Sequence, residues 1–122
     1  MQRLILVLVL VAVAPTIAGP ETTSATVSGY VIDSACLFIK NLDRPIGREC
    51  AIKCAKAGSP LVILADDGTI YLPISGEMPA TGQNERLLKF AGEKVTIRGK
   101  VFERGGSHAL VIEAIDATPA AK

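Results

Sequence analysis

The sequence predicts a mainly β protein, a five-stranded barrel of the OB type that carries two or three short helices. Two observations lead to this prediction. Segments rich in β-branched residues recur along the chain between glycine-containing turns, as in small β-barrels. Helical segments follow the first of these strands and precede the last two, and glycines stand inside strands where a barrel bends. A curved α+β sheet with helices on one face is the alternative architecture.

Five segments are predicted to form the strands: Thr26–Asp33, Leu61–Ala65, Thr69–Ile74, Lys94–Val101 and His108–Ile115. Two sets of turn residues, Asp66–Gly68 and Arg104–Ser107, are expected to join consecutive strands into hairpins. The second segment is apolar throughout, which indicates a strand buried on both faces. Gly29 lies inside the first segment, and this predicts a bend or a close backbone approach at that point.

Three helical segments are predicted: Cys36–Ile39, a helix from Ile46 or Arg48 to Ala57, and Glu85–Ala91. Asn84 is the expected N-cap of the last one. In the second helix, Cys50, Cys54 and Ala57 are expected to form the buried stripe, because residues three and four apart lie on one face of a helix.

The N-terminus has the pattern of a signal peptide. One basic residue, Arg3, precedes an unbroken apolar run from Leu4 to Ala14. That run is shorter than the about 20 apolar residues of a membrane-spanning helix. A basic start, an apolar centre and a small-residue exit are typical of a secretory leader. We expect a signal peptide over residues 1–18, cleaved after Ala18, and a periplasmic or secreted protein; an uncleaved membrane anchor is the alternative.

The rest of the chain is expected to form one domain. Residues 19–25 are polar and predict a disordered lead-in, residues 26–117 the OB-like domain, and residues 118–122 a flexible tail. Without Arg3, 12 of the 13 basic residues stand against 12 acidic residues. A mature chain of net charge near zero has no electrostatic reason to bind nucleic acid or an anionic membrane.

Three cysteines mark the candidate functional site. Cys50 and Cys54 lie four residues apart on one face of the second helix, and Cys36 lies fourteen positions before Cys50. Export places all three in an oxidising compartment, where disulfides persist. A disulfide from Cys36 to Cys50 or to Cys54 is therefore the favoured interpretation, and it would add about 3 kcal/mol of stability. The third thiol would be free, ligating, or paired with another molecule.

Metal binding by the same three cysteines is the alternative. Thiolates suit Cu(I) and Zn(II), but structural zinc usually has four ligands, and the fourth would have to be His108, Asp33 or water. Cu(I) accepts three or even two thiolates, so copper fits this set better than zinc. A redox or thiol-catalytic role would need a thiol pKa lowered by a nearby cation, for which Arg48 and Lys53 are the candidates.

The chain resembles a group of small exported bacterial proteins with an OB-like barrel and a Cys…CxxxC cluster. The resemblance is carried by four segments and covers most of the chain after the leader: Gly29–Cys36, Cys50–Leu61, Asp67–Tyr71 and Gly99–Gly106. In those proteins a histidine often stands three positions before the first cysteine of the pair, where this chain has Gly47. The resemblance implies an OB-like barrel, but the Cys3His set that it would imply lacks its histidine here.

The sequence contains no recognisable catalytic motif. We therefore expect a non-enzymatic exported domain with a binding or structural role, stapled by a disulfide, without a cofactor, whose partner is a small ligand or a protein. The alternative function is that of a periplasmic copper- or zinc-binding or thiol-redox protein that uses Cys36, Cys50 and Cys54.

Overall fold

The computed structural model describes residues 11–15, 19 and 21–118. Its strands are β1 Glu21–Asp33, β2 Leu61–Ala65, β3 Ile70–Pro73, β4 Lys94–Arg104 and β5 Ser107–Ala117. Its helices are α1 Ser34–Ile39, α2 Arg48–Lys56 and α3 Asn84–Leu87, which a 3-10 turn at Leu88–Phe90 extends. Apart from residues 11–15, the predicted signal peptide lies outside the described residues, as does the predicted tail after Thr118. No helix in the described ranges is long and apolar enough to cross a membrane.

The five strands close into a barrel in the order β1-β2-β3-β5-β4, with β4 pairing back onto β1. All neighbours are antiparallel except β3 and β5, which run parallel. The predicted fold class, a mainly β five-stranded barrel with two or three short helices, is confirmed. The barrel is closed rather than partly open, so each strand has a neighbour on both sides and no edge is left unpaired.

β1 begins five residues earlier than predicted. The expected disordered lead-in is wrong from Glu21 onward, because residues 21–25 pair in register with β4, from Glu21 opposite Glu103 to Ala25 opposite Gly99. The side chains of residues 22–24 are exposed, which explains their polar composition. Polar Ser and Thr residues are compatible with a strand when a long partner strand satisfies their backbone hydrogen bonds.

Gly29 lies where β1 passes from one neighbour to the other. It pairs with Ala65 of β2 and also with Val95 of β4. A Cβ atom at this position would overlap the carbonyl oxygen of Leu64, so only glycine allows the strands to approach this closely. The close backbone approach predicted for Gly29 is confirmed, and it is the corner at which the barrel closes.

Two apolar clusters hold the fold together. The larger fills the barrel and contains the fully buried side chains of Val31, Ile63, Leu87, Val95, Ile97 and Leu110. The smaller lies on the outer face of β1 and β2, where Leu37 of α1 covers Ile32, Val62 and Leu64. Because β2 contributes to both clusters, all five of its residues are buried, as its continuous apolar run predicts. The outer cluster also fixes α1, and with it Cys36, against the barrel.

Asn84 has a different role from the predicted one. It is the first residue of α3 rather than its N-cap, and its side chain reaches the neighbouring elements. Its Oδ1 accepts the backbone N–H of Leu61 at 2.7 Å, and its Nδ2 donates to the carbonyls of Ser59 at 2.8 Å and Ala55 at 3.2 Å. Asn84 therefore joins the end of α2 to the start of β2, and helps to position the helix that carries two cysteines.

Replacing Asn84 with alanine should lower the free energy of unfolding by about 2 kcal/mol, since it leaves partly buried backbone groups without partners. Urea denaturation measures this change. Gln83→Ala is the matched control, because the Gln83 side chain makes only exposed, local hydrogen bonds and should cost less than about 0.5 kcal/mol. Equal midpoints for the two variants would show that the Asn84 contacts contribute nothing.

Candidate metal centre

Three sulfur atoms converge on one side of the barrel. The Sγ atoms of Cys36, Cys50 and Cys54, hereafter the thiol cluster, all lie within 4.8 Å of one another, and all three residues are partly exposed. A metal–thiolate bond of about 2.3 Å places sulfurs about 3.8 Å apart in a tetrahedral site and about 4.0 Å apart in a trigonal one. The observed spacing thus requires only small side-chain adjustments to close around one ion.

Helix α2 supplies two members of the thiol cluster. Its buried residues are Ala51 and Ala55, so the predicted buried stripe of Cys50, Cys54 and Ala57 is wrong. The two alanines allow the helix to lie close to the barrel, because their side chains are small. Cys50 and Cys54 each precede an alanine and lie on the partly exposed flank of the helix, where they meet the sulfur of Cys36.

Asp33 positions the third sulfur. Its carboxylate is buried, with 2% of the residue exposed, and its Oδ2 accepts the backbone N–H of Cys36 at 3.0 Å as the N-cap of α1. The same oxygen accepts a hydrogen bond from the Ser59 hydroxyl at 3.3 Å. The backbone N–H of Ser34 also donates to the carbonyl of Pro60 at 2.9 Å. These bonds tie the start of α1 to the segment that follows α2.

The predicted disulfide staple is absent from the structure. Cys36, Cys50 and Cys54 are all free thiols. The staple was expected to pin the exit of the first strand to the thiol-bearing helix, and the hydrogen bonds around Asp33 and Ser59 already make that connection. A disulfide would join two sulfurs at about 2.05 Å and leave the third out, whereas the three sulfurs here share one cluster.

The surroundings of the thiol cluster raise the pKa of two of its thiols. Burial, followed by the hydrogen bond and the negative charge of Asp33, raises the pKa of Cys36 from 9.0 to about 12. Burial and the charge of Asp33 also raise the pKa of Cys54. A catalytic thiol needs the opposite, a pKa lowered by positive charge. A metal ion bound by these sulfurs must displace their protons, so the raised pKa values predict that metal binding strengthens as pH rises.

Arg48, one of the cations considered for thiol activation, is engaged elsewhere. Its guanidinium donates to the carbonyl of Lys89 at 2.9 Å and forms an ion pair with Glu93 at 3.1 Å. These partners belong to the segment between α3 and β4, so the charge of Arg48 is balanced there. The structure therefore gives the redox interpretation no support from this residue.

The other candidate ligands do not join the thiol cluster. His108 lies against the carboxylate of Glu103, with Nε2 and Oε1 3.3 Å apart, and its ring makes an edge contact with Tyr71. The carboxylate of Asp33, the other residue considered as a fourth ligand, accepts the backbone N–H of Cys36 and the hydroxyl of Ser59 and lies outside the converging group. Among residues 11–15, 19 and 21–118, the three sulfurs are the one group of three or more potential ligands that converges.

A groove beside Cys50 is a feature that the sequence did not reveal. It has a volume of about 540 Å³ and is lined by Glu49, Cys50, Ile52, Lys53 and Lys56, all on α2. A larger groove, of about 670 Å³, is lined by residues that include Phe38, Val62 and Leu72. Of these two grooves, only the one beside Cys50 is lined by a member of the thiol cluster.

Alkylation tests the protonation of the thiol cluster in the metal-free protein. A pKa of about 12 instead of 9.0 gives Cys36 roughly 1000-fold less thiolate at neutral pH, partly offset by greater nucleophilicity. We expect Cys36 to react with iodoacetamide roughly 30-fold more slowly in the folded than in the urea-unfolded chain at about pH 8, with the difference shrinking as pH rises toward the pKa. Mass spectrometry of the modified peptides measures both rates. Faster reaction in the folded chain would instead support thiol catalysis.

Fold and site together define a small β-barrel protein with a partly exposed cluster of three thiols. No protein-family model, curated protein or solved structure matches the chain. Its function therefore has to be inferred from the geometry of the thiol cluster.

Proposed function

We propose that this protein binds one Cu(I) ion through Cys36, Cys50 and Cys54. The observation that carries the proposal is the convergence of the three sulfurs within 4.8 Å. Thiolates are the ligands that soft metal ions prefer. Because the pKa values of Cys36 and Cys54 are raised, copper binding displaces protons from these thiols and should strengthen as pH rises.

Copper fits the ligand set better than zinc. Zinc sites with a structural role have four protein ligands, and the converging group in the described residues contains three. His108, the histidine considered as a fourth ligand, contacts Glu103 and Tyr71 instead. Cu(I) is stable with three sulfur ligands, and it needs no oxygen or nitrogen donor.

The position of the site favours a bound cargo over a structural metal. The thiol cluster lies outside the barrel, whose core is filled by apolar side chains independently of any ion. Its cysteines are partly exposed, so an ion can reach them from solvent. The predicted leader supports an exported protein, and in that setting the proposed role is to hold or carry copper outside the cytoplasm.

A competition titration tests the proposal. The reduced chain is titrated anaerobically with Cu(I) in the presence of a chromogenic Cu(I) chelator. We expect the protein to withdraw one equivalent of copper from the chelator, with sulfur-to-copper absorption in the ultraviolet, and to retain it in excess Zn(II). Ser24→Ala, on the exposed side of β1, is the control that should leave the titration unchanged. Failure to compete for Cu(I), or displacement of copper by zinc, would refute the proposal.

A further inference from the structure

We propose that the thiol cluster exchanges Cu(I) with a thiol-bearing partner protein whose surface is acidic. This inference rests on the proposed function and adds the partner to it. The contact surface, which we call the docking face, consists of Ile39, Ile46, Ile52, Lys53 and Lys56 around the thiol cluster. Three features of this face support the inference: exposed apolar side chains, unpaired positive charge, and a groove that leads to Cys50.

Exposed apolar side chains stand beside the sulfurs. Ile39 is 84% exposed and lies three residues after Cys36, on the same side of α1. Ile46 is 58% exposed and lines a small cleft together with Cys36 and Cys50. Large apolar side chains that are this exposed beside a metal-exchange site can form the apolar centre of a protein–protein contact.

The segment that carries Cys50 and Cys54 has an excess of positive charge. Residues 40–56 contain five basic and two acidic residues, in a chain that is otherwise nearly balanced. Two of the basic residues have carboxylate partners, Arg44 with Asp43 and Arg48 with Glu93. Three exposed lysines of this segment have no ion-pair partner among the described residues: Lys40, Lys53 and Lys56. Against them stands one unpaired carboxylate, Glu49, so the face is complementary to an acidic partner.

The groove beside Cys50 provides the path for an incoming ligand. Cys50 and Lys53, three residues apart, share one side of α2, and Glu49, Ile52 and Lys56 complete the lining of the groove. Its volume of about 540 Å³ accommodates a short peptide segment rather than a bare ion. A partner segment that enters there brings its thiol to Cys50, the member of the thiol cluster that lines the groove.

The exchange is a ligand substitution without redox change. One Cu(I)–S bond forms with the incoming thiolate and one bond to Cys50 breaks, while copper stays in the +1 state. The proton released by the incoming thiol is taken up by the departing Cys50 sulfur. With a dithiol partner, a second thiolate displaces another cysteine in the same way, and the third Cu(I)–S bond breaks as its sulfur takes up a proton from solvent. The reverse steps return the ion, so no oxidant or reductant is required.

The experiment uses two synthetic dithiol peptides with identical cysteine spacing, one flanked by aspartates and the other by lysines. Each is loaded with Cu(I) and mixed with the metal-free protein under anaerobic, low-salt conditions. We expect transfer from the acidic peptide to be at least about 10-fold faster than from the basic one, and the difference to vanish at about 1 M salt. Stopped-flow absorbance of the copper–thiolate band measures both rates.

A charge-reversed pair of variants provides the specific control. Lys53→Glu with Lys56→Glu should invert the preference between the peptides. Arg98→Glu with Lys100→Glu changes the net charge equally on the exposed side of β4, away from α2, and should keep the original preference. Equal rates from both peptides in a protein that binds Cu(I) would overturn the docking face alone. Absence of Cu(I) binding at equilibrium would overturn the proposed function as well.

Discussion

Replacing Cys36 with serine should lower the affinity for Cu(I) by at least about 100-fold. Loss of a residue that only supports a metal ligand already lowers metal affinity about 10- to 100-fold, and Cys36 is itself a proposed ligand. The effect is large because Cys36 comes from α1 and the other two sulfurs come from one helix. Without it, Cys50 and Cys54 remain as a pair four residues apart, and the ion is held from one side only. The chelator competition titration measures the loss.

Two further variants make this result specific. Cys54→Ser should lose affinity to a similar extent, since each sulfur supplies one of three bonds, whereas Ser24→Ala should not change it. Circular dichroism should show the same fold for all of them, because the thiol cluster lies outside the barrel core. If Cys36→Ser bound Cu(I) as tightly as the unaltered chain, α1 would have no part in the site and the three-sulfur geometry would be wrong.

Replacing Gly29 with alanine should reduce the free energy of unfolding by about 3 kcal/mol or more, at the upper end of the cost of overpacking. A Cβ atom there overlaps the carbonyl oxygen of Leu64 and lies 2.7 Å from the Cα of Ala65. Both obstacles are backbone atoms of β2, which cannot move aside as a flexible side chain would. The strands must therefore separate at the corner where the barrel closes, and urea denaturation records the cost.

Gly82→Ala is the matched control for this substitution. Nothing lies within 4 Å of a Cβ atom at position 82, so the same change should alter the free energy of unfolding by less than about 0.5 kcal/mol. If Gly29→Ala were as stable as Gly82→Ala, β1 and β2 would not approach each other as closely as described, and the closed barrel would be in doubt.

Much of the fold follows from the sequence because its signals are local. The apolar run Leu61–Ala65 indicates a strand buried on both faces, and the turn at Asp66–Gly68 indicates the hairpin that follows it. The start of β1 was predicted too late, because residues 21–25 are polar and owe their strand structure to pairing with β4. A partner strand 74 to 82 positions away leaves no local trace in the sequence.

The site was predicted in its members but not in its arrangement. The helical spacing of Cys50 and Cys54 and the position of Cys36 after the first strand predict that the three sulfurs lie near one another. In the structure they do. Whether two of the sulfurs form a disulfide or all three converge depends on how α1 and α2 are positioned against the barrel. That is decided by Asp33 and Asn84, whose hydrogen bonds span 3 to 29 positions. Neither residue lies in a sequence motif that predicts these contacts.

X-ray absorption at the copper edge of the Cu(I)-loaded chain tests the central claim most directly. The claim is that Cys36, Cys50 and Cys54 hold one Cu(I) ion together. We expect three sulfur scatterers at about 2.3 Å, falling to two in Cys36→Ser, with no nitrogen or oxygen ligand in the unaltered chain. A first shell dominated by nitrogen or oxygen, or one that is unchanged in Cys36→Ser, would contradict the three-thiolate site.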